Sequence, residues 1–267
     1  MLRAIFLVVA ILATLSACAT LPFAPTPTPP PSPTPTRLAI YADAALANVL
    51  RDIGTAFLQQ NPGASFEWTF AQPDALRVKL AQAAPPDVLI SADADVLSQL
   101  ESASAPTRIA RDPLTVLIPN TNPANVERIE DLNRRDLRIV IAAENTALGQ
   151  ATRALVENFR HDAAFGPDLP QTFYENVIAQ LSNGRSVLDV LLQNRADVGI
   201  VYASEANFEA RRVTALDIPQ GLNVPAEYRG ILLKSAHAPA RAQAFLEYLA
   251  SPQAQTLWRD YGFEPGE

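Results

Sequence analysis

Short apolar runs alternate with longer amphipathic runs from residue 38 onward, and this alternation limits the folds open to the chain. A run of four or five apolar residues suits a buried strand, whereas apolar residues three or four apart suit a helix. A chain that repeats strand and helix in this order builds a sheet with helices on both faces. The first part predicts strands at 38–41, 66–70 and 87–91, and helices at 44–60, 74–83 and 95–101.

A second set of runs begins at residue 114 and predicts a second α/β lobe. Strands are predicted at 114–118, 139–142, 198–202, 213–218 and 228–233, and helices at 148–159, 186–193 and, as a closing pair, 240–261. We expect lobe 1 to comprise residues 37–114 and 217–267, and lobe 2 residues 115–216. Because open α/β sheets bind ligands at the carboxyl ends of their strands, a cleft between the lobes is the expected binding site.

The N-terminal segment has the pattern of a secretory signal. Arg3 precedes an apolar run at 4–15 that is too short to span a membrane, and small residues follow it. Residues 15–18 read LSAC and resemble a lipobox, which predicts a signal peptide at 1–17 and lipidation of Cys18. An ordinary cleaved signal with a chance cysteine is the alternative. Cys18 is the only cysteine, so an intrachain disulfide is excluded.

Residues 18–36 are expected to form a tether. Eight prolines lie between Pro22 and Pro35 among Thr and Ser residues, a composition that favours extended polyproline II over a packed core. Recognition of these prolines by a partner domain is the alternative use. The signal and tether predict an extracytoplasmic, lipid-anchored protein, and the net charge of −7 argues against binding to nucleic acid or to an anionic lipid surface.

Five stretches resemble the molybdate-binding proteins of ABC importers: IYADAALANVL at 40–50, PDVLISAD at 86–93, NGRSVL at 183–188, ADVGIVYASEA at 196–206 and YGF at 261–263. They occur in order and cover nearly all of the chain after the tether. The resemblance implies a type II periplasmic-binding-protein fold, with two α/β lobes joined by a hinge around a cleft. It also implies delivery of a small solute, molybdate or tungstate, to ABC permease subunits by a monomer without a cofactor.

The resemblance further implies where the ligand contacts lie. That family holds its oxyanion with hydroxyls and main-chain N–H groups, which satisfy the charge without a counter-ion. The two serine positions of the first lobe fall at Ala45, which keeps only an N–H, and at Pro73, which has neither group. Main-chain donors from the second lobe fall near Leu148 and Gly184, and a tyrosine hydroxyl falls at Tyr202. A diverged ligand, neutral or cationic, is therefore an alternative to an oxyanion.

Two carboxylates in the same loops, Asp43 and Asp74, have two interpretations. Both precede predicted helices, where a carboxylate can cap free N–H groups. Alternatively they face the cleft as part of the binding site. A carboxylate about 5 Å from a dianion would cost roughly 6 to 7 kcal/mol at an effective dielectric near 20, which would make molybdate a poor ligand.

The residues give little support to an enzyme. His161 and His237 are the only histidines, they are far apart in sequence, and both are expected at the surface. Asp93 and Asp95 resemble a metal-binding pair but are explained by capping at a strand-to-helix junction. No metal site or nucleophile motif is expected, and a hydrolase is the weakest alternative. A tethered sensor with the same two-lobed fold is a further alternative.

Overall fold

A computed structural model describes residues 36–266. The predicted signal peptide, Cys18 and almost all of the predicted tether lie outside this range. The strands are β1 Thr36–Asp43, β2 Ala64–Ala71, β3 Val88–Ser91, β4 Thr107–Asp112, β5 Leu114–Pro119, β6 Ile139–Ala142, β7 Val177–Leu181, β8 Val198–Tyr202, β9 Val213–Leu216, β10 Ala226–Leu232 and β11 Glu264–Pro265. The helices are α1 Ala47–Gln60, α2 Pro73–Gln82, α3 Ala94–Ser98, α4 Ala147–Arg160, α5 Leu169–Glu175, α6 Gly184–Leu192, α7 Ala203–Asn207, α8 Pro239–Leu249 and α9 Pro252–Asp260.

The first sheet has the strand order β11-β4-β10-β3-β1-β2. β1 pairs in parallel with β2 and β3, whereas β10 comes from the end of the chain and pairs antiparallel with β3 and β4. Successive residues of β3 point to opposite faces, and both faces are buried. Val88 and Ile90 pack with Phe57, Phe245 and other residues of α1, α8 and α9, whereas Leu89 packs towards α2 and α3. The first lobe is therefore a three-layer sandwich.

The second sheet has the order β7-β6-β8-β5-β9. Its strands β6, β7 and β8 are parallel, and β5 is antiparallel to β8 and β9. Ile139 and Ile141 pack with Phe159 and Phe173 on one face, whereas Val140 packs towards α6 on the other. Each sheet thus has its own core, as the predicted two-lobed α/β fold requires.

The chain crosses between the sheets twice, and one side chain joins the two crossings. The first crossing is Pro113, between β4 and β5, and the second is the segment 217–225, between β9 and β10. Asn223 Oδ1 accepts from Leu114 N at 2.9 Å, and Asn223 Nδ2 donates to Leu114 O at 2.8 Å. The predicted lobe boundaries, 37–114 with 217–267 and 115–216, stay predictions; the sheets themselves draw on 36–112 with 226–265 and on 114–216.

Several elements differ from the sequence-based expectation. The first predicted helix opens as a 3₁₀ turn, Ala44–Leu46, before α1 begins. The sequence did not predict β4, β7 or α5, because β4 and α5 have few consecutive apolar residues and β7 is a half-exposed edge strand that depends on β6 for pairing. Within residues 36–266, no helix is long and apolar enough to cross a membrane.

Candidate functional site

The carboxyl ends of three strands lie along one edge of the first sheet. β10 runs antiparallel to β3 and β4, with Arg229 opposite Ser91 and Ala226 opposite Asp112. The first residues of β10 therefore lie beside the last residues of both strands. Because β1 is parallel to β3, Asp43 at the end of β1 belongs to the same edge. The edge thus presents Asp43, Ser91 and Asp112.

The second sheet meets this edge through the end of β8. Tyr202, the last residue of β8, lies opposite Leu114, the first residue of β5. Only Pro113 separates Leu114 from Asp112, and the N–H of Ala203 donates to the Pro113 carbonyl at 2.9 Å. The carboxyl ends of strands from both sheets therefore converge at this crossing, where a doubly lobed α/β protein places its ligand.

Asp43 is a buried carboxylate that joins two strand ends. Its Oδ1 accepts from Ser91 Oγ at 2.8 Å and its Oδ2 from Ala92 N at 2.9 Å. Burial raises the pKa of Asp43 to about 6; the two hydrogen bonds oppose the rise and Asp93 adds to it. Its side chain makes no capping hydrogen bond to the following 3₁₀ turn, so the capping interpretation of Asp43 is wrong.

Asp112 is a second buried carboxylate, which the sequence did not predict as a site residue. It accepts from the N–H of Ser204 at 3.0 Å and from Ser204 Oγ at 2.5 Å, so it links the end of β4 to the start of α7. Burial raises the pKa of Asp112 to about 7, against the lowering effect of the Ser204 hydrogen bonds. Asp112 therefore ties the first sheet to the second at the crossing.

The side chain of Glu205, a residue of α7, lies beside the first residue of α6. A Cβ added to Gly184, the first residue of α6, would lie 1.9 Å from Glu205 Oε2, so the carboxylate fills the space beside this glycine. Glu205 Oε2 also accepts from the N–H of Tyr202 at 3.4 Å. Burial raises the pKa of Glu205, and the hydrogen bond from Tyr202 lowers it. Ser204 and Glu205 belong to the motif at 196–206, which was their only signal in the sequence.

Two tyrosines lie among these acids. Tyr202 is partly buried and packs against the core of the second lobe. Burial raises the pKa of the Tyr228 hydroxyl well above its ordinary value, and the charges of Asp112, Asp43 and Glu205 raise it further. Acidic side chains of both lobes therefore act electrostatically on Tyr228, and the region where the strand ends converge is acidic.

The second lobe also brings two helix N-termini to its edge. Leu148 lies in the first turn of α4, which follows β6, and Gly184 begins α6, which follows β7. Thr146 Oγ1 accepts from the N–H of Gly149, and Asn183 Oδ1 from that of Ser186. The N–H groups that precede these capped positions have no partner within their helices. The resemblance places its main-chain donors near these two residues, and their role in binding stays a prediction.

The remaining predicted site residues lie at the first lobe's surface. Ala45 is exposed in the 3₁₀ turn, and Pro73 is the first residue of α2. The side chain of Asp74 is 93 % exposed and pairs with Arg77 at 2.5 Å, without a capping hydrogen bond. Asp74 therefore does not cap α2 by a hydrogen bond, but its solvent-exposed carboxylate lies in the first turn, where it complements the helix dipole.

Comparisons with known proteins decide the family. The sequence profile of the family described as "Bacterial extracellular solute-binding protein" matches residues 38–264, which is nearly all of the described chain. The chain belongs to this family. This solute-binding protein is 28 % identical over 230 residues to the Molybdate-binding protein ModA of Mycobacterium tuberculosis, covering 85 % of this chain and 84 % of that one. It is 26 % identical over 240 residues to ModA of Escherichia coli, with 85 % and 88 % covered.

Solved structures share the fold. The substrate binding domain of a putative molybdenum ABC transporter from Clostridium difficile superposes with a TM-score of 0.76 at 18 % identity, covering 87 % of this chain and all of that one. The periplasmic molybdate-binding protein of Azotobacter vinelandii gives 0.63 at 18 % identity, with 86 % and 100 % covered. The solute-binding protein is therefore ModA-like, with the predicted two-lobed fold, and its family places it outside the cytoplasm. Its relatives are solute-binding proteins, which agrees with the prediction that it is not an enzyme.

Both histidines of the solute-binding protein lie at the surface, as predicted. His161 follows α4 and is exposed near Glu157, and His237 is exposed while its N–H donates to Asp87. Asp93 accepts from the N–H groups of Asp95 and Val96, so its predicted role as a helix cap is confirmed. Among the described residues, no three His, Cys, Asp or Glu side chains come together as a metal site.

Proposed function

We propose that this protein is the solute receptor of an ABC importer and binds a molybdate-type tetrahedral oxyanion between its lobes. The observation that carries the proposal is the similarity to ModA proteins over both lobes, at 85 % of this chain. A receptor of this kind closes around its solute by a hinge motion. The crossing that holds Asp112, Pro113 and Leu114 is suited to that motion because only one residue separates the two strands.

The oxyanion would be held mainly by the second lobe. Main-chain N–H groups at the start of α4 and α6, near Leu148 and Gly184, supply donors aligned with the helix dipoles. Tyr202 would supply a hydroxyl and Ala45 an N–H, whereas Pro73 supplies no donor. Fewer donors than in the molybdate-binding family predict weaker binding than a full set of serine hydroxyls would give.

The buried acids favour a second candidate ligand. Asp43, Asp112 and Glu205 all act electrostatically on Tyr228 at the meeting of the sheets. Negative charge near the site opposes a dianion and favours a neutral or cationic solute. The two candidates differ in the sign of the ligand charge, which makes them separable by a single titration series.

Calorimetric titration of the purified protein with molybdate, tungstate and sulfate tests the function. We expect molybdate or tungstate to bind with a Kd in the micromolar range or below, about −8 kcal/mol or stronger. Sulfate, which is tetrahedral like molybdate and tungstate, serves as the comparison that tests the effect of ligand size. Binding of a neutral or cationic solute, with no heat from any of the three oxyanions, would support the diverged ligand instead.

Anchoring and delivery belong to the same proposal. Lipidation of Cys18 and the Pro-rich tether at 18–36 would hold a monomeric receptor near the permease, at up to about 3.1 Å per residue of extended tether. Expression of the full chain and of Cys18→Ser, followed by detergent phase separation, tests the anchor. We expect the full chain in the detergent phase and the variant in the aqueous phase. A tethered sensor would be anchored in the same way, but deletion of a sensor would leave solute uptake intact.

A further inference from the structure

We propose that the Glu205 carboxylate occupies the anion-receiving start of α6 and acts as a proton-dependent specificity gate against doubly charged ligands. This inference rests on the proposed oxyanion-binding function. The gate would admit an oxyanion when Glu205 is protonated or displaced, and it would exclude the ligand when Glu205 is charged and in place.

The position of the carboxylate is the first observation. The ideal Cβ position of Gly184 lies 1.9 Å from Glu205 Oε2, 2.5 Å from Oε1 and 2.4 Å from Cδ, so the whole carboxylate faces this glycine. Gly184 is the first residue of α6, and Asn183 caps only the N–H of Ser186. An oxygen of a bound oxyanion at this helix start would therefore meet the carboxylate of Glu205.

The partners of Glu205 are the second observation. Its one described hydrogen bond is from the N–H of Tyr202 at 3.4 Å, which is long. The nearest cation on α6, Arg185, pairs with Asp189 at 3.1 Å and with Glu209 at 3.1 Å. Glu205 is the third residue of α7, where it closes a capping box with Tyr202, and its carboxylate has no ion pair among the described residues although it lies beside the start of α6.

The groups that face Glu205 from the other elements are acidic or neutral. Asp112 at the end of β4 and Tyr228 on β10 interact with it electrostatically, as does Tyr202 at the end of β8. β5 packs against α7 but carries no ionisable residue. Because burial raises the pKa of Glu205, its side chain takes up a proton at a higher pH than an exposed glutamate does.

Molybdate titration by calorimetry at several pH values, in two buffers of different ionisation enthalpy, tests the gate. We expect the wild-type affinity to fall about tenfold per pH unit above the pKa of Glu205, with uptake of about one proton per ligand. Glu205→Gln keeps an acceptor for Tyr202 N–H and removes the charge. This variant should take up about one proton fewer per ligand than wild type, since only the uptake linked to Asp43 and Asp112 remains, and it should bind at least about tenfold more tightly than wild type near pH 8.5.

Glu209→Gln is the matched control. Glu209 lies just beyond the end of α7, the helix that carries Glu205, and its carboxylate pairs with Arg185 and Arg212. It should follow the wild-type pH dependence. Oxyanion binding by wild type and by Glu205→Gln with the same pH dependence overturns the gate alone. Absence of oxyanion binding by both proteins overturns the proposed function and the gate with it.

A second measurement tests the carboxylate position without a ligand. Gly184→Ala should lower thermal stability because its methyl group meets Glu205, and Glu205→Ala in the same chain should restore most of the loss. If the effects of the two substitutions on thermal stability are additive, the Glu205 carboxylate does not contact residue 184, and the gate is overturned.

Discussion

At the scale of single residues, Asp112 couples stability to pH. Burial raises its pKa from 3.8 to about 7, so the folded protein binds a proton that the unfolded chain has lost between these values. Stability is therefore full below about pH 4 and falls as the pH rises through about 7. Asp112→Asn should remove this part of the fall. Between pH 4.5 and 8, the unfolding free energy should shift by about 2 to 4 kcal/mol in favour of the variant.

Chemical denaturation of both proteins at the two pH values measures this shift. Asp136→Asn is the control, because Asp136 is an exposed acid paired with Arg134. Asp43, with a pKa of about 6, contributes a fall of the same sign that remains in Asp112→Asn. Curves of wild type and Asp112→Asn that stay parallel across this range would contradict the burial of a titrating Asp112.

Gly149 gives a second residue-scale prediction. A Cβ at this position would lie 2.1 Å from the Ala143 carbonyl oxygen and 2.9 Å from that of Ala142, and both are backbone atoms that cannot move away freely. Gly149→Ala should therefore destabilise the protein by about 1 to 3 kcal/mol. Gly221→Ala, with nothing within 4 Å of its Cβ, should stay near wild type. Thermal unfolding compares the two, and equal melting temperatures would show that the β6–α4 connection tolerates a side chain.

At the scale of elements, the strands that were predicted carry a local pattern of continuous or alternating apolar residues, and they include the edge strands β2 and β9. β1, β3, β6 and β8 carry continuous apolar residues that need no partner to be recognised. β4 and β7 were missed because β4 reads TRIARD and β7 is a half-exposed edge strand. The residues of the candidate site differ in the same way: some have a local sequence signal and others do not. The helix start at Gly184 lies in a motif and the one near Leu148 followed from the apolar periodicity, whereas the burial of Asp112 depends on which strand ends meet, and no local pattern encodes that.

The two crossings between the sheets give the element-scale prediction. Asn223→Ala removes both hydrogen bonds to Leu114 and leaves its N–H and carbonyl without these partners. It should lower the unfolding free energy by about 1 to 3 kcal/mol and increase proteolysis at segment 217–225. Asn120→Ala is the matched control, since its amide also makes two contacts, to Arg211 O and Thr214 Oγ1, but at an exposed site within the second lobe. An equal loss in both variants would show that Asn223 does not hold the crossings together.

At the scale of the whole molecule, the tryptophans that report unfolding lie in the first lobe, whereas most of the proposed ligand contacts lie in the second. Both tryptophans, Trp68 and Trp258, pack in the core of the first lobe, whereas Tyr202 belongs to the second. A ligand held between the lobes stabilises both, so molybdate at 100 times its Kd should add about 2.7 kcal/mol to the unfolding free energy that tryptophan fluorescence reports.

Tyr202→Phe tests whether this stabilisation crosses the cleft. The substitution keeps the ring that packs on the second core and removes the hydroxyl, so the protein without ligand should unfold within about 1 kcal/mol of wild type. At the same molybdate concentration, the stabilisation seen by the first-lobe tryptophans should shrink by about 1 to 2 kcal/mol, because a hydrogen bond to a charged ligand is lost. An unchanged stabilisation would show that the Tyr202 hydroxyl makes no contact with the ligand, and that the second lobe contributes only its helix N-termini.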